Sequence, residues 1–326
     1  MPKYSIITPV YNSYSLMEKY FRSLEEQSLK DFEVLLIDDC SNDDSYEKLC
    51  AYAKNTSLQM SIFRSDINRG PGNARNIGME KASGEWITFI DNDDWVETNF
   101  LESIDYIICS NTDVNCVIFD YSTIDEKGKV TRAHSMYSGE TGIIPVSKCM
   151  VYARNHTIGK FYKLSNCRKQ DIKFPELRRC EDVAFVARAI DACEPVYYYK
   201  ESLYYYYQRS GSLSNNTKLD ESDMIRAFSI LEQCLGEKYP EEIKEKSVTD
   251  LLYGSLLMMC KASKGTKKIK EYISDYEKKY PGWEKSSVID SIGKGKRLFL
   301  SFAKKRCVLG MRMLGLAHDI ILRVGA

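Results

Sequence analysis

The chain has 326 residues, enough for one catalytic-sized domain with an extension. Its 46 Lys and Arg balance its 46 Asp and Glu, so no global field attracts nucleic acid, and a nucleic-acid partner is not expected. With 44% hydrophobic residues, wholesale disorder is excluded. The 11 cysteines are odd in number and include no Cys-x-x-Cys pair, which favours a reducing cytoplasmic location over a disulfide framework. Neither a signal peptide nor a spanning helix is expected.

Continuous apolar runs alternate with helical patterns over the first part of the chain. The pattern predicts strands over 4–10, 32–37, 58–63 and 86–90, separated by helices over 14–29, 46–53 and 74–81. Strands that are apolar without interruption are typical of a parallel sheet covered on both faces.

Polar clusters follow three of these strands. They are Tyr11-Asn12, Asp38-Asp39 and Asp91-Asn92-Asp93-Asp94. Because ligands of open α/β sheets bind beyond the carboxyl ends of the strands, we expect the three clusters to converge on one crevice.

The regularity weakens after residue 114. We expect a strand over 114–121, a helix over 181–192 and a pair of strands within 196–207, a segment that holds seven tyrosines. From about residue 220 the chain has helical spacing throughout.

The Asp-rich segment Asp91-Asn92-Asp93-Asp94 is the strongest single chemical signal. Three carboxylates at one strand end repel one another unless a cation neutralises them. Mg²⁺ and Mn²⁺ prefer such oxygen ligands and commonly share them with substrate phosphates. The alternative is an Asp-rich turn that only caps the following helix.

Four segments in order extend this signal. They read Tyr-Ser-Ile-Ile-Thr-Pro-Val-Tyr-Asn from residue 4, Asp-Phe-Glu-Val-Leu-Leu-Ile-Asp-Asp-Cys-Ser-Asn-Asp from 31, Asn-Arg-Gly-Pro-Gly-Asn-Ala-Arg-Asn-Ile-Gly from 68, and Gly-Glu-Trp-Ile-Thr-Phe-Ile-Asp-Asn-Asp-Asp-Trp from 84. Together they resemble the family 2 glycosyltransferases of the GT-A fold. A looser similarity continues through Cys180-Glu181-Asp182 to Arg209-Ser210-Gly211-Ser212 and fades after about 215.

The resemblance implies an α/β GT-A fold, a Rossmann-like and mostly parallel sheet flanked by helices. It also implies a glycosyltransferase domain over 1–215, followed by a helical C-terminal region over 216–326. A Rossmann dinucleotide site is disfavoured, because the Gly-x-Gly at Gly70 and Gly72 lacks the required spacing and does not follow the first strand.

Family roles transfer to individual residues only as implications of the resemblance. Pro9 and Tyr11 would line the nucleoside pocket, with the Tyr11 ring stacking on the base. One of Asp38 and Asp39, with Asp39 favoured, would accept a hydrogen bond from the base. The alternatives are core packing for Tyr11 and helix capping for the two acids.

The remaining implied roles concern the diphosphate, the metal and the proton. Arg75 would offer a fork to the diphosphate, Asp91 would contact ribose or donor sugar, and Asp93 would bind Mn²⁺ or Mg²⁺, whereas Asp94 has no assigned role. Asp182 would be the catalytic base. The alternative for Asp182 is a first-turn acid that complements the helix dipole, and Cys180 stands where the family often has glycine.

We therefore expect an inverting glycosyltransferase that moves a sugar from a nucleotide-diphosphate donor, expected to be a UDP-sugar, to a glycan or lipid-linked acceptor. The expected setting is cell-surface polysaccharide synthesis. The rival interpretation is a non-catalytic nucleotide- or glycan-binding protein on the same scaffold. A sugar nucleotidyltransferase would need a Gly-rich phosphate loop directly after the first strand, where Tyr11-Asn12-Ser13-Tyr14 stands.

The tail from Lys294 to Ala326 carries eight basic residues against one acid, Asp319. Apolar residues recur beside them at helical spacing, which predicts an apolar stripe edged by cations. Three alternatives remain open: packing on the protein's own core, a contact in an oligomer, or peripheral binding at the inner face of the membrane.

Overall fold

A computed structural model describes residues 1–137, 139–209 and 221–324, and the side chains of Arg132 and residues 317–324 are not covered. The chain divides into two compact units, Met1–Gln208 and Arg209–Ala326. The predicted boundary near 215 and most of the segment Arg209-Ser210-Gly211-Ser212 lie outside the described residues.

The first unit contains ten strands and seven helices among its described residues. The strands are β1 (Tyr4–Val10), β2 (Phe32–Asp38), β3 (Met60–Arg64), β4 (Trp86–Phe89), β5 (Trp95–Val96), β6 (Cys116–Ile124), β7 (Val130–His134), β8 (Gly142–Ile144), β9 (Lys160–Lys163) and β10 (Val196–Tyr207). The helices are α1 (Glu18–Glu25), α2 (Ser45–Ala53), α3 (Pro71–Lys81), α4 (Phe100–Ser110), α5 (Val146–Tyr152), α6 (Leu164–Lys169) and α7 (Glu181–Ala192).

All ten strands form one sheet, whose main path runs β3-β2-β1-β4-β9-β6-β10-β5. The four N-terminal strands pair in parallel, as the apolar runs predict, and β6 pairs in parallel with β10. The strand β9 runs antiparallel between β4 and β6, and β5, β7 and β8 also pair antiparallel. The result is a mixed sheet with flanking helices, which confirms the predicted α/β class. The expectation of a mostly parallel sheet holds only for the four N-terminal strands, because five of the nine pairings among the described strands are antiparallel.

The prediction of two strands within 196–207 is wrong. These residues form the single strand β10, whose register against β6 shifts between Tyr199 and Ser202 and again between Ser202 and Tyr204. The polar residues Lys200 and Glu201 resemble a turn in the sequence, but they are exposed at these irregularities. A polar interruption between two aromatic runs is therefore compatible both with a hairpin turn and with an irregularity inside one long strand, and the sequence alone does not distinguish them.

The helix α3 packs very closely on β1 because of one glycine. A Cβ atom at Gly78 would lie 2.3 Å from Cγ2 of Ile7, which is fully buried on β1. This close approach fixes α3, and the loop before it, against the carboxyl end of the sheet.

The second unit is helical wherever it is described, as the sequence predicts. Its helices are α8 (Glu221–Leu235), α9 (Pro240–Ser247), α10 (Ser255–Lys261), α11 (Thr266–Lys279), α12 (Val288–Ser291), α13 (Lys294–Lys304) and α14 (Val308–Val324), with a π-helical turn over Val248–Gly254. Across the described residues of both units, no helix combines the length and the apolar character that crossing a membrane would need.

Candidate active site

The carboxyl ends of β1, β2 and β4 lie side by side and carry the three polar clusters predicted to converge. Asn92, after β4, donates through Nδ2 to the carbonyl oxygen of Pro9 on β1 at 2.8 Å. The backbone N–H of Asp39, after β2, donates to the carbonyl of Val10 at 2.8 Å. The three clusters therefore converge at this edge of the first unit, as predicted.

Tyr11 is placed at the rim of this edge. It follows β1 directly, and 45% of its surface is exposed, so it does not pack in the core. The next residue, Asn12, has a positive φ of 49° and accepts through its side chain from the backbone N–H of Asn42 at 2.9 Å. This anchoring fixes the backbone beside an aromatic ring that is open to stacking.

The two carboxylates after β2 have different environments. Asp38 is fully buried; its Oδ2 accepts from the backbone N–H of Ser41 at 3.1 Å and lies 3.3 Å from Nε of Arg64. Asp39 accepts backbone N–H groups from Arg69 at 3.1 Å and Gly70 at 2.7 Å. Burial raises the pKa of Asp39, and the two backbone donors oppose that rise.

Asp39 therefore links the end of β2 to the loop that begins α3. Each carboxylate oxygen has a second lone pair, so Asp39 can still accept a further hydrogen bond. At the same loop Gly70 has a φ of 92°, a conformation that glycine adopts without strain, and Pro71 occupies the first turn of α3.

Arg75 bridges two motifs that are distant in the sequence. Its Nη2 lies 2.9 Å from Oδ1 of Asp91, and its Nη1 lies 3.1 Å from Oε1 of Glu181. Burial alone would lower the pKa of Arg75, but the nearby carboxylates, which include Asp182, outweigh it and raise the pKa. The predicted diphosphate fork is thus engaged with two acids in this state.

Asp94 is a structural member of the Asp-rich turn. It is fully buried, accepts from the Tyr204 hydroxyl at 2.5 Å through Oδ2, and accepts from the backbone N–H of Tyr207 at 2.7 Å through Oδ1. Burial, together with the charges of Asp91 and Asp93, raises its pKa well above the ordinary value. The Tyr204 hydroxyl also accepts from the backbone N–H of Asp91 at 3.1 Å.

The sequence did not identify Tyr204 as part of the site. Its run of tyrosines indicates only sheet packing, and nothing local singles out the one whose hydroxyl reaches the Asp-rich turn. That contact depends on β5 and β10 pairing at the sheet edge, through Tyr204 opposite Val96. It holds both ends of the turn around Asp93.

The motif can hold a divalent ion only together with other ligands. Nowhere in the described part of the chain do three or more His, Cys, Asp or Glu side chains gather into a metal-binding group. Asp91 contacts Arg75 and Asp94 contacts Tyr204. Asp93, the metal ligand that the resemblance implies, lies between them in the same turn. One carboxylate plus diphosphate oxygens is a common arrangement for Mg²⁺, so the residues fit such an ion.

The Glu-Asp pair opens α7, as predicted. Burial raises the pKa of Glu181, whereas Arg75 acts to lower it. Cys180 precedes the helix with φ 60° and ψ 14°, the left-handed region that favours glycine. The backbone therefore explains why glycine would suit this position, and Cys180 adopts the same conformation.

The geometry thus groups the predicted residues along one edge of the first unit. Arg75 contacts Asp91 and also Glu181, the neighbour of the predicted base Asp182. Pro9 is joined to the Asp-rich turn through Asn92, and Asp39 is joined to the loop before α3 through Gly70, while Asp38 is buried at the end of β2. Tyr11, Asp93 and Asp182 are placed there by the elements that they follow or begin.

Comparison with known proteins agrees with this arrangement. The sequence profile described as glycosyl transferase family 2 matches residues 5–170, just over half of the chain. The chain belongs to this family. The chain is 26% identical over 253 residues to the poly(ribitol-phosphate) β-N-acetylglucosaminyltransferase TarS of Staphylococcus aureus. The matched residues cover 74% of the chain and 43% of TarS. The chain therefore matches less than half of the length of that relative.

Two further relatives are also named glycosyltransferases. GlyG of Streptococcus pneumoniae is 24% identical over 237 residues, covering 69% of the chain and 78% of GlyG. The GalNAc(5)-diNAcBac-PP-undecaprenol β-1,3-glucosyltransferase of Campylobacter jejuni is 34% identical over 104 residues, covering 32% of the chain and 34% of that enzyme.

Among solved structures, TarS 1–349 in complex with UDP-GlcNAc superposes with a TM-score of 0.71 at 19% identity, covering 97% of the chain and 91% of that structure. The mannosyltransferase PcManGT of Pyrobaculum calidifontis, in complex with GDP-Man and Mn²⁺, gives a TM-score of 0.55 at 15% identity, covering 98% and 86%. At these identities the likeness establishes the GT-A fold.

Proposed function

We propose that the chain is a metal-dependent, inverting glycosyltransferase that uses a UDP-sugar. The carrying observation is the Arg75 bridge, because it joins Asp91 of the Asp-x-Asp motif to Glu181 of the Glu-Asp pair through contacts of 2.9 and 3.1 Å. Glu181 is the neighbour of Asp182, the candidate base, whose charge also acts on Arg75. The donor-binding motif and the candidate base therefore belong to one cluster. A protein that only bound nucleotide would not need the second motif beside the first.

Two residues near the strand ends, Asp39 and Tyr11, and one similar solved structure support UDP as the nucleotide. A carboxylate at Asp39 suits the N–H of uracil, and the exposed Tyr11 ring suits a base face. A TarS structure contains UDP-GlcNAc. The same imide edge occurs in dTDP, and GDP also has N–H donors, so both belong in the binding test.

Asp182 and Arg75 have separate roles in the proposed transfer step. Asp182 takes the proton from the acceptor hydroxyl as its oxygen forms a bond to the anomeric carbon, and the bond from that carbon to the diphosphate oxygen breaks with its electron pair. One displacement on an α-linked donor gives a β product, in keeping with the β linkages in the names of TarS and the Campylobacter enzyme. Arg75 can exchange a carboxylate for a diphosphate oxygen.

Asp93 would hold the divalent ion, Mn²⁺ or Mg²⁺. Bound there, the ion supplies positive charge that neutralises the departing diphosphate. Tyr204 and Asp94 keep the turn that carries Asp93 in place.

The acceptor is proposed to be a hydroxyl of a cell-surface polymer or of a lipid-linked glycan. The names of two relatives support this class, one acting on poly(ribitol phosphate) and one on an undecaprenol-linked oligosaccharide. The decisive assay offers both acceptors with UDP-GlcNAc and UDP-glucose in Mn²⁺, and mass spectrometry detects one added sugar.

We expect Asp182→Asn to bind UDP with unchanged affinity while its transfer rate falls about a hundredfold or more, because the amide cannot accept the proton. Asp191→Asn, at the other end of α7, is the matched control and should transfer normally. Loss of UDP affinity in Asp182→Asn would remove Asp182 from the role of base.

A further inference from the structure

Helices α13 and α14 expose four large apolar side chains within 19 residues of sequence, whereas the other exposed large apolar residues are scattered along the described part of the chain. Leu298 is 47% exposed, Leu309 70%, Met313 63% and Leu316 65%. Residues 309, 313 and 316 follow the i, i+4, i+7 spacing that places them on one face of α14. This face is a continuous apolar stripe rather than a scatter of single residues.

The opposite faces of the two helices are already used for packing. Phe299, Leu300 and Ala303 on α13 are buried, as are Val308 and Met311 on α14. The single stripe predicted from the sequence therefore divides into an inner set that packs and an outer set that faces solvent. Packing on the protein's own core explains only the inner set.

Exposed cations accompany the outer set. Lys294 and Arg297 are exposed and lie on the same face of α13 as Leu298, and the exposed Lys305, which follows the last residue of α13 in helical conformation, continues that face. Arg306 is different, since it turns toward Glu277 at 2.7 Å and Ser274 at 2.7 Å. The cations of the outer face are thus a separate group from those used for internal contacts.

We propose that the outer faces of α13 and α14 bind an anionic phospholipid surface. The residues involved are Lys294, Arg297, Leu298, Lys305, Leu309, Met313 and Leu316. Charge complementarity favours an anionic partner for these faces. The protein as a whole is neutral, whereas its tail from Lys294 has eight basic residues and one acid. In a two-fold contact with a second copy, the same surface meets itself, so the cations of one copy would face those of the other. Lipid headgroups provide the opposite charge, and acyl chains cover the apolar stripe.

Co-sedimentation of the full chain with vesicles tests the proposal. Binding should be much stronger to vesicles containing phosphatidylglycerol than to phosphatidylcholine alone, and it should weaken as salt rises. Changing Lys294, Arg297 and Lys305 together to Gln should reduce partition roughly a hundredfold, about fivefold for each cation. Changing Leu309, Met313 and Leu316 together to Ser should reduce it about tenfold or more.

The matched control is Lys267→Gln with Lys278→Gln on α11, where both side chains are highly exposed at 92% and 77%. This control should bind vesicles like the wild type, and thermal unfolding should show that every variant is folded. Absence of wild-type binding to phosphatidylglycerol vesicles at low salt would overturn the proposal. Equal binding by all variants would do the same, as would a lipid-free dimer that the Ser variant converts to a monomer.

Discussion

Asp93 and Asp94 are adjacent carboxylates with different tasks. Asp94 accepts from Tyr204 and from the backbone of Tyr207 inside the protein, whereas Asp93 is the proposed metal ligand. Asp94→Ala removes the acceptor of the buried Tyr204 hydroxyl and of the half-buried Tyr207 N–H, and it should lower the free energy of unfolding by about 2–5 kcal/mol. Asp93→Ala should lower the free energy of unfolding by less than Asp94→Ala does, and it should abolish metal-dependent transfer.

Thermal or denaturant unfolding of both variants, together with sugar-transfer assays, checks this division. Wild-type turnover by Asp93→Ala, with metal still required, would place the metal on another residue. Unchanged stability of Asp94→Ala would show that the buried hydrogen bonds do not hold the turn.

Asp39 and Asp38 offer a second comparison of neighbours. Asp39→Asn keeps the size of the side chain but removes the charge that suits the base N–H, so UDP affinity should fall about tenfold. Asp38→Asn instead weakens the contact with Arg64, and its main effect should be on stability. Calorimetry with UDP, dTDP and GDP in Mn²⁺ measures the first effect; tighter binding of GDP would refute the choice of UDP.

The contact between α3 and β1 depends on the absence of a side chain at Gly78. Because Cβ would lie 2.3 Å from a methyl of buried Ile7, Gly78→Ala should lower the free energy of unfolding by about 1–3 kcal/mol. It should also weaken UDP binding, since α3 carries Arg75. Gly295→Ala in α13 meets nothing within 4 Å and should be neutral or stabilising by up to about 1 kcal/mol.

Equilibrium unfolding in urea compares these two glycine variants directly. Equal stability of Gly78→Ala and the wild type would mean that the helix can move away from the strand. The position of Arg75 would then not depend on this contact.

Periodicity predicts the strands and helices of the N-terminal half well, because buried parallel strands are continuously apolar. It fails at β10, where a polar interruption marks a register irregularity rather than a turn. Residues near the strand ends, such as Tyr11 and Asp39, could be predicted from motifs. Tyr204 could not, since its contact with Asp94 links positions 110 residues apart.

The net charge of the whole chain is zero, but the charges are unevenly distributed along it. The basic tail of the second unit is compensated by acids elsewhere, so composition alone predicts no partner. The family profile ends at residue 170. The acceptor-binding residues are expected roughly within 122–180 and after 200. The donor side is therefore the part of the function that sequence and structure define best.

Release of UDP from a panel of UDP-sugars in Mn²⁺, measured for the wild type and for Asp93→Ala, tests the proposed donor chemistry most directly. We expect at least one UDP-sugar to be turned over by the wild type, with the activity lost on removal of the metal and in Asp93→Ala. Failure of every UDP-sugar to bind or react while another nucleotide sugar does, or turnover that persists unchanged in Asp93→Ala without metal, would contradict it.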